Sequence, residues 1–342
     1  MNHNGEKLPV AATRPVLFPR PWGGDRLPEL YAHWLDKADG TPGKPVGEAW
    51  LVADHPECES PLELPPSCFT DKITTLRDWM NRDANWLLGS HARPTPTGRF
   101  PLLLKLIHAT DWLSVQVHPD DQTARELGEP DVGKTEMWTF LDVHPESSII
   151  AGLRKDFSRE EIAEKICRAD RNIARCLLSH RPRPGDSVLI PAGTLHAIGP
   201  GLLLAEIQQN SNITYRVYDW DRKDERGNRR ALHPEKSLAA IRWDLPAPTL
   251  TPGVKRLEST QVIHCLGTSS FFHAERVEIS ETACFATGGT SFHILLNPAQ
   301  VLNVRVMNHE LAARPAQAVL VPAGAGNYWV TGPSTFLRYY VP

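Results

Sequence analysis

One segment of this sequence occurs twice, and that repetition limits the fold more than any other feature. RPGDSVLIPAGTLH, from Arg183 to His196, returns in constant register as RPAQAVLVPAGAGN, from Arg314 to Asn327. In both copies a short apolar run enters a Pro-Ala-Gly turn, the pattern of a β-strand ending at a tight bend. A repeat of this kind predicts two related β modules in one chain. The copies differ where chemistry would sit, because His196 of the first stands opposite Asn327 of the second. One module is therefore expected to be chemically competent and the other degenerate. The Pro-rich stretch DLPAPTLTPG, near Pro246, reads as the linker, dividing the chain into residues 1–245 and 246–342. The later histidines, His264, His273 and His293, sit in strand-like runs without clustered carboxylates and are read as structural.

The chemistry of the first module concentrates between Leu113 and Phe140. Ser114-Val115-Gln116-Val117-His118 alternates strictly, so Val115 and Val117 face one side and Gln116 and His118 the other. A second strand-like run from Lys134 to Leu141 puts Lys134, Glu136, Trp138 and Phe140 on one face. With His196 beyond its turn, these residues offer two imidazoles, a carboxylate and an amide. That donor set, Gln116, His118, Glu136 and His196, suits a borderline divalent cation such as Zn²⁺.

Further charges interrupt apolar β runs. Lys105 lies inside Phe100–Ile107, Glu48 inside Val46–Asp54, and Glu206 and Arg216 in the strand–turn–strand stretch Leu202–Arg222. Such charges are costly to bury unless paired, so they either meet other protein groups or serve a site. Lys105 must snorkel to solvent or meet an anion. Glu48 faces either solvent or a pocket, and Trp22 and Trp50 are either core aromatics or pocket walls. Lys105, Lys134, Arg216 and Arg222 together bring cations to an acidic metal site, which favours an anionic, hydroxyl-bearing substrate. No Gly-rich phosphate loop precedes a helix, so a nucleotide is not indicated.

Two helical excursions are predicted within the β framework. Thr70–Ser90 places Leu76, Trp79, Met80 and Leu87 at near-helical spacing, with Gly89 as a stop. Arg154–Ser179 opens on a Ser158/Glu161 capping box and carries Ile162, Ile166, Ile173 and Leu177 as an apolar stripe, broken near Asp170.

The 342 residues amount to roughly two domains of about 100–200 residues each. A net charge of -3 argues against a nucleic-acid-binding surface. No apolar run approaches a membrane span of about 18 residues, and MNHNGEKLPVAATRP lacks the apolar centre of a signal peptide. Six cysteines without a CxxC pair predict free thiols and a cytoplasmic setting. The oligomeric state stays open between a monomer and a small homo-oligomer.

These blocks resemble a known family. PWGGDRL at Pro21–Leu27, VGEAWLVADHP at Val46–Pro56, FPLLLKL at Phe100–Leu106, QVHPDD at Gln116–Asp121, GKTEMW at Gly133–Trp138, PAGTLHAIG at Pro191–Gly199 and EIQQNSNITYRVYDWDR at Glu206–Arg222 are similar, in family order, to the type I phosphomannose isomerases of the short bacterial branch. The resemblance implies a mainly β fold of two cupin (jelly-roll) barrel modules with helical inserts. It implies one zinc ion per chain on Gln116, His118, Glu136 and His196, and interconversion of mannose 6-phosphate and fructose 6-phosphate. It places the family's essential arginine at Arg216, a site lysine at Lys134, and pocket positions at Trp22, Glu48 and Lys105.

That reaction moves a proton between C1 and C2 through an enediol. Arg216, assisted by Lys134, is expected to stabilise the developing negative charge. Glu206 is the candidate base, with a metal-activated water as its rival. Lys134 or Arg222 is expected at the phosphate. The alternatives are a cupin isomerase for another sugar or sugar phosphate, and a non-catalytic sugar-binding cupin.

Overall fold

The strand Leu102–Ala109 shows how the chain is layered. Leu102, Leu104 and Leu106 enter one apolar cluster, whereas Ile107 and Ala109 enter another. Both faces are covered, so the strand reads as a continuous apolar run rather than an alternating one. Lys105 shares its face with Ile107 and therefore points into the first barrel. The cluster on the opposite face also holds Phe292, Ile294, Leu296, Leu337 and Tyr339 of the second module. Phe100 and Phe292 meet there with ring centroids 4.4 Å apart.

The computed structural model describes residues 7–34, 45–68, 73–224, 226–258 and 261–342. The protein is mainly β, and its sheets correspond in pairs. A six-stranded antiparallel sheet runs in the order Ser187–Ile190, Glu136–Val143, Leu202–Gln209, Leu102–Ala109, Val46–Val52, Val16–Gly24. Its counterpart runs Ala318–Val321, His293–Leu296, Ser334–Tyr340, His273–Ile279, Gln261–Thr268, Val254–Glu258. A facing sheet orders Leu177–His180, Ile149–Leu153, His196–Ile198, Val115–Val117 and Tyr215–Tyr218. Its counterpart orders His309–Ala313, Leu302–Val306, Asn327–Val330 and Ala283–Ala286. The repeated segment thus marks two sandwiches of one topology. Ala11–Thr13 and Leu62–Glu63 extend the second module's large sheet, so the N-terminal part of the chain contributes to both.

At the register positions of the first copy's candidate donors, the second copy carries other residues. Gln116 pairs with His196, and at the matching step Ala286 pairs with Asn327. Glu136 pairs with Ile190, whose counterpart Val321 pairs with His293. The interior ion pair survives with its charges exchanged. Lys105 is in register with Glu206 in the first barrel, and Glu275 with Arg338 in the second. The second pair is part of a closed network in which His273 lies 3.2 Å from Glu275, while His264 lies 3.2 Å from Glu278. These histidines do have carboxylate neighbours, contrary to the sequence reading. Cross-strand pairing supplies them, and no local spacing announces it.

The first helical insert is Leu76–Leu88, opened by a Thr75/Asp78 capping box, while residues 70–72 of the predicted stretch lie outside the described residues. It rests on the second Pro-Ala-Gly turn so closely that a Cβ on Gly324 would lie 2.1 Å from the Trp86 ring. The second insert is shorter than expected. A helix at Arg159–Cys167 and a 3₁₀ turn at Arg171–Cys176 cover the outer face of Val115–Val117, but Leu177 begins a strand. Its apolar side chain fits either period. No helix among the described residues is long and apolar enough to cross a membrane.

Candidate metal centre

Three strands bring the four proposed donors together inside the first barrel. Gln116 and His118 belong to the segment Val115–Val117 and its end, Glu136 opens Glu136–Val143, and His196 opens His196–Ile198. Gly193 makes the turn before His196 with φ +88°, and a Cβ there would lie 2.6 Å from the Arg242 side chain. Only glycine suits that left-handed, crowded position. Donor atoms of His118, Glu136 and His196 lie within 4.8 Å of one another, and all three residues are buried.

The hydrogen bonds fix which nitrogen of each histidine is free. His118 Nδ1 lies 2.7 Å from the Ile213 carbonyl, and His196 Nδ1 lies 2.9 Å from the Thr194 carbonyl. A carbonyl only accepts, so both Nδ1 atoms donate and both Nε2 atoms present lone pairs. Those Nε2 atoms lie 3.5 and 3.3 Å from the Glu136 carboxylate. Burial, with the nearby Lys134 charge, holds His118 neutral, and burial takes His196 down to about 4. The Oε1 of Glu136 has no hydrogen-bond partner. Two outward lone pairs and an unsatisfied carboxylate oxygen converging in a buried site fit a divalent cation. Gln116 turns its Nε2 toward the histidines, at 3.4 and 3.3 Å, while its Oε1 accepts from Ser114. Rotating the amide by half a turn exchanges the two and supplies an oxygen donor.

A cavity of about 390 Å³ opens beside this centre, lined by Trp22, Glu48, Lys105, Lys134, Glu206 and Arg216 among others. Its floor is a chain of alternating charge. Arg20 grips Glu48 through Nε and Nη2 at 2.9 and 3.0 Å, and Lys105 lies 3.8 Å from Glu48 and 3.7 Å from Glu206. Lys134 lies 3.8 Å from Glu206 and 2.6 Å from Glu136. Burial opposes the charge of Glu48, but Lys105 and Arg20 prevail and hold it at about 2. Burial prevails at Glu206 and raises its pKa despite Lys134. Burial opposes the charge of Lys134 as well, yet Glu136 and Glu206 raise its pKa. Glu206 also accepts from Trp138 Nε1 at 3.0 Å, which orients it toward the cavity.

Arg216 is in cross-strand register with Gln116, so the two side chains share a face. Its Nε has no hydrogen-bond partner, and no ion pair engages it among the described residues. The structure thus gathers Trp22, Glu48, Lys105, Lys134, Glu206 and Arg216 with the four donors. It does not gather Arg222, whose guanidinium turns away to Asp219 at 2.7 Å and Asp111 at 3.3 Å. Sequence reasoning missed Arg20 and Arg230, which also line the cavity. The bidentate partner of Arg20 is Glu48, and no spacing connects them in sequence.

Residues 19–148 match the family model of the phosphomannose isomerase type I catalytic domain. The chain is 33% identical to a probable mannose-6-phosphate isomerase, GmuF, of Bacillus subtilis over 94% of its own length and 96% of that protein. The chain belongs to the type I phosphomannose isomerases. Another member, the mannose-6-phosphate isomerase of Streptococcus mutans, is 36% identical over 76% of this chain and 75% of that one. The crystal structure of the mannose 6-phosphate isomerase from Bacillus subtilis superposes with a TM-score of 0.82 at 27% identity, covering 97% of this chain and 99% of that one. A type I phosphomannose isomerase fold therefore extends over both sandwiches, not over the matched catalytic segment alone.

Proposed function

We propose that this chain is a mannose-6-phosphate isomerase, with one zinc ion held by Gln116, His118, Glu136 and His196. The observation that carries the reading is the convergence of two outward-facing imidazole lone pairs and the Glu136 carboxylate beside a cavity containing an unpaired arginine. Zinc at these donors would supply Lewis acidity toward the oxygens on C1 and C2. The protein supplies the rest. Glu206, raised by burial and aimed by Trp138, takes the proton from one carbon and returns it to the other. Arg216 and Lys134 face the negative charge that develops on the enediolate. Trp22, Glu48 and Lys105 shape and orient the hydroxyl-bearing substrate. The repeat divides the chain into 1–245 and 246–342, with Ala11–Thr13 and Leu62–Glu63 joining the second module's sheet and that module acting as a scaffold without donors. None of the six cysteines is in a disulfide, which suits a reducing cytoplasmic setting.

The test is hydrogen exchange during turnover. In deuterated water, mannose 6-phosphate should be converted to fructose 6-phosphate with solvent deuterium appearing at C1, and Glu206→Gln should suppress both. Binding without conversion would leave a sugar-binding cupin, and preferential turnover of another sugar phosphate would replace the substrate.

A further inference from the structure

Four arginines, Arg222, Arg226, Arg229 and Arg230, lie between the strand Tyr215–Tyr218 and His233, and of these Arg230 lines the cavity. Arg222 is spent on Asp219 and Asp111. Arg230 stands later in sequence, yet the backbone returns it to the site. The Arg216 N–H donates to His233 Nδ1 at 3.0 Å, and the His233 N–H donates to the Arg216 carbonyl at 2.8 Å. These two bonds close the intervening segment and bring Arg230 back beside Arg216.

Asp219 then fixes the side chain. This carboxylate is 5% exposed and accepts from Arg230 Nε at 2.7 Å and from Arg230 Nη2. Arg230 Nη1 has no hydrogen bond among the described residues. A guanidinium held along one edge is immobilised while its remaining N–H groups stay available for an anion.

The distribution of charge points the same way. Five cations, Arg20, Lys105, Lys134, Arg216 and Arg230, line the cavity against the carboxylates Glu48, Glu57 and Glu206. Lys105 and Lys134 are interleaved with Glu48, Glu206 and Glu136, and Arg20 is clasped by Glu48. Arg216 has no carboxylate partner, and Arg230 shares Asp219 with Arg222, so the surplus rests on these arginines. Lys134 is 6% exposed and Arg230 33%, so Arg230 lies nearer the mouth. Two guanidiniums facing one space repel each other until an anion lies between them.

We propose that Arg230, immobilised by Asp219 and set beside Arg216, grips the phosphate of the substrate, and that Arg222 only braces Asp219. This rests on the sugar-phosphate reading above and adds the residue that recognises the phosphate. Arg230 would touch substrate, whereas Asp219 is a positioning residue.

The experiment compares Arg230→Gln, Arg230→Lys and Arg222→Gln with the parent enzyme, using KM for mannose 6-phosphate and the inhibition constant of inorganic phosphate. Parent turnover tests the functional reading by itself, so failure there is distinct from failure of this inference. Arg230→Gln should raise both constants about tenfold or more, the scale of one charge-assisted contact. The loss should fall on KM more than on kcat, and Arg230→Lys should recover part of it. Arg222→Gln should move both constants less. As a second handle on the positioning role, Asp219→Asn should weaken phosphate inhibition in the same direction as Arg230→Gln. Constants within twofold of the parent in Arg230→Gln, or a larger effect from Arg222→Gln, would overturn the assignment.

Discussion

Arg216→Met separates what Arg216 does for the fold from what it does for the substrate. The arginine is half-buried, its Nε lacks a partner, and Arg230 and Arg20 lie close enough to repel it. A buried donor left unsatisfied costs about 1–3 kcal/mol. Methionine keeps much of the aliphatic stem and removes both the orphaned donor and the repulsion. The variant should thus be as stable as the parent, or more stable by about 1 kcal/mol. Turnover should move the other way. Loss of one preorganised donor from a developing oxyanion costs about 10²–10³ in rate, or ~2.7–4 kcal/mol. Steady-state isomerisation, zinc content and the urea midpoint can be read on one preparation. Unchanged zinc, an undiminished midpoint and a large fall in kcat are expected. A lowered midpoint with turnover retained would refute the reasoning, because Arg216 would then be a structural residue.

Glu136→Gln removes the charged donor while keeping its shape, and should lower zinc affinity about tenfold or more, read by competition with a chromophoric chelator. Gly193→Ala forces a left-handed position beside Arg242 and should cost about 1–3 kcal/mol while weakening zinc retention, because His196 follows that turn. Gly324→Ala, against Trp86, should destabilise the chain with zinc affinity unchanged, read by the same urea and competition assays. The second module should be acid-sensitive. His293 is held neutral down to about 3 by burial and Arg338. Glu275 is held ionised to about 2, where His273 and Arg338 overcome its burial. For the histidine, the unfolded chain takes up a proton below about pH 6.5 that the folded chain refuses. For the carboxylate, the unfolded chain protonates first below about 4.5. Both contributions are full at neutrality and fall together as pH drops toward 3. The urea midpoint should decline through that window, and less steeply in His293→Gln.

The candidate donors were legible because strand geometry writes them locally. Gln116 and His118 are two residues apart on one face, Glu136 opens the next apolar run, and the repeat isolates His196 by contrast with Asn327. Lys105 and Glu206 were visible as charges out of place, but their pairing needed the register of two strands far apart in sequence. Arg222 misled because it sits in the same motif as Arg216. The bend after Tyr218 turns it outward, while Trp220 and Asp221 take left-handed φ of 55° and 57°. Arg230 carried no signal, since two hydrogen bonds to His233 return it to the site. The three-residue strand Ala11–Thr13 is likewise too short for any period to reveal its place in the second sheet.

The central claim is that a metal at Gln116, His118, Glu136 and His196 makes this cavity an isomerase. Its most direct measurement is turnover of mannose 6-phosphate by the intact chain before chelation, after chelation, and after stoichiometric zinc is restored. The account predicts conversion that disappears with the metal and returns with it. Undiminished conversion by protein shown to be metal-free would contradict it.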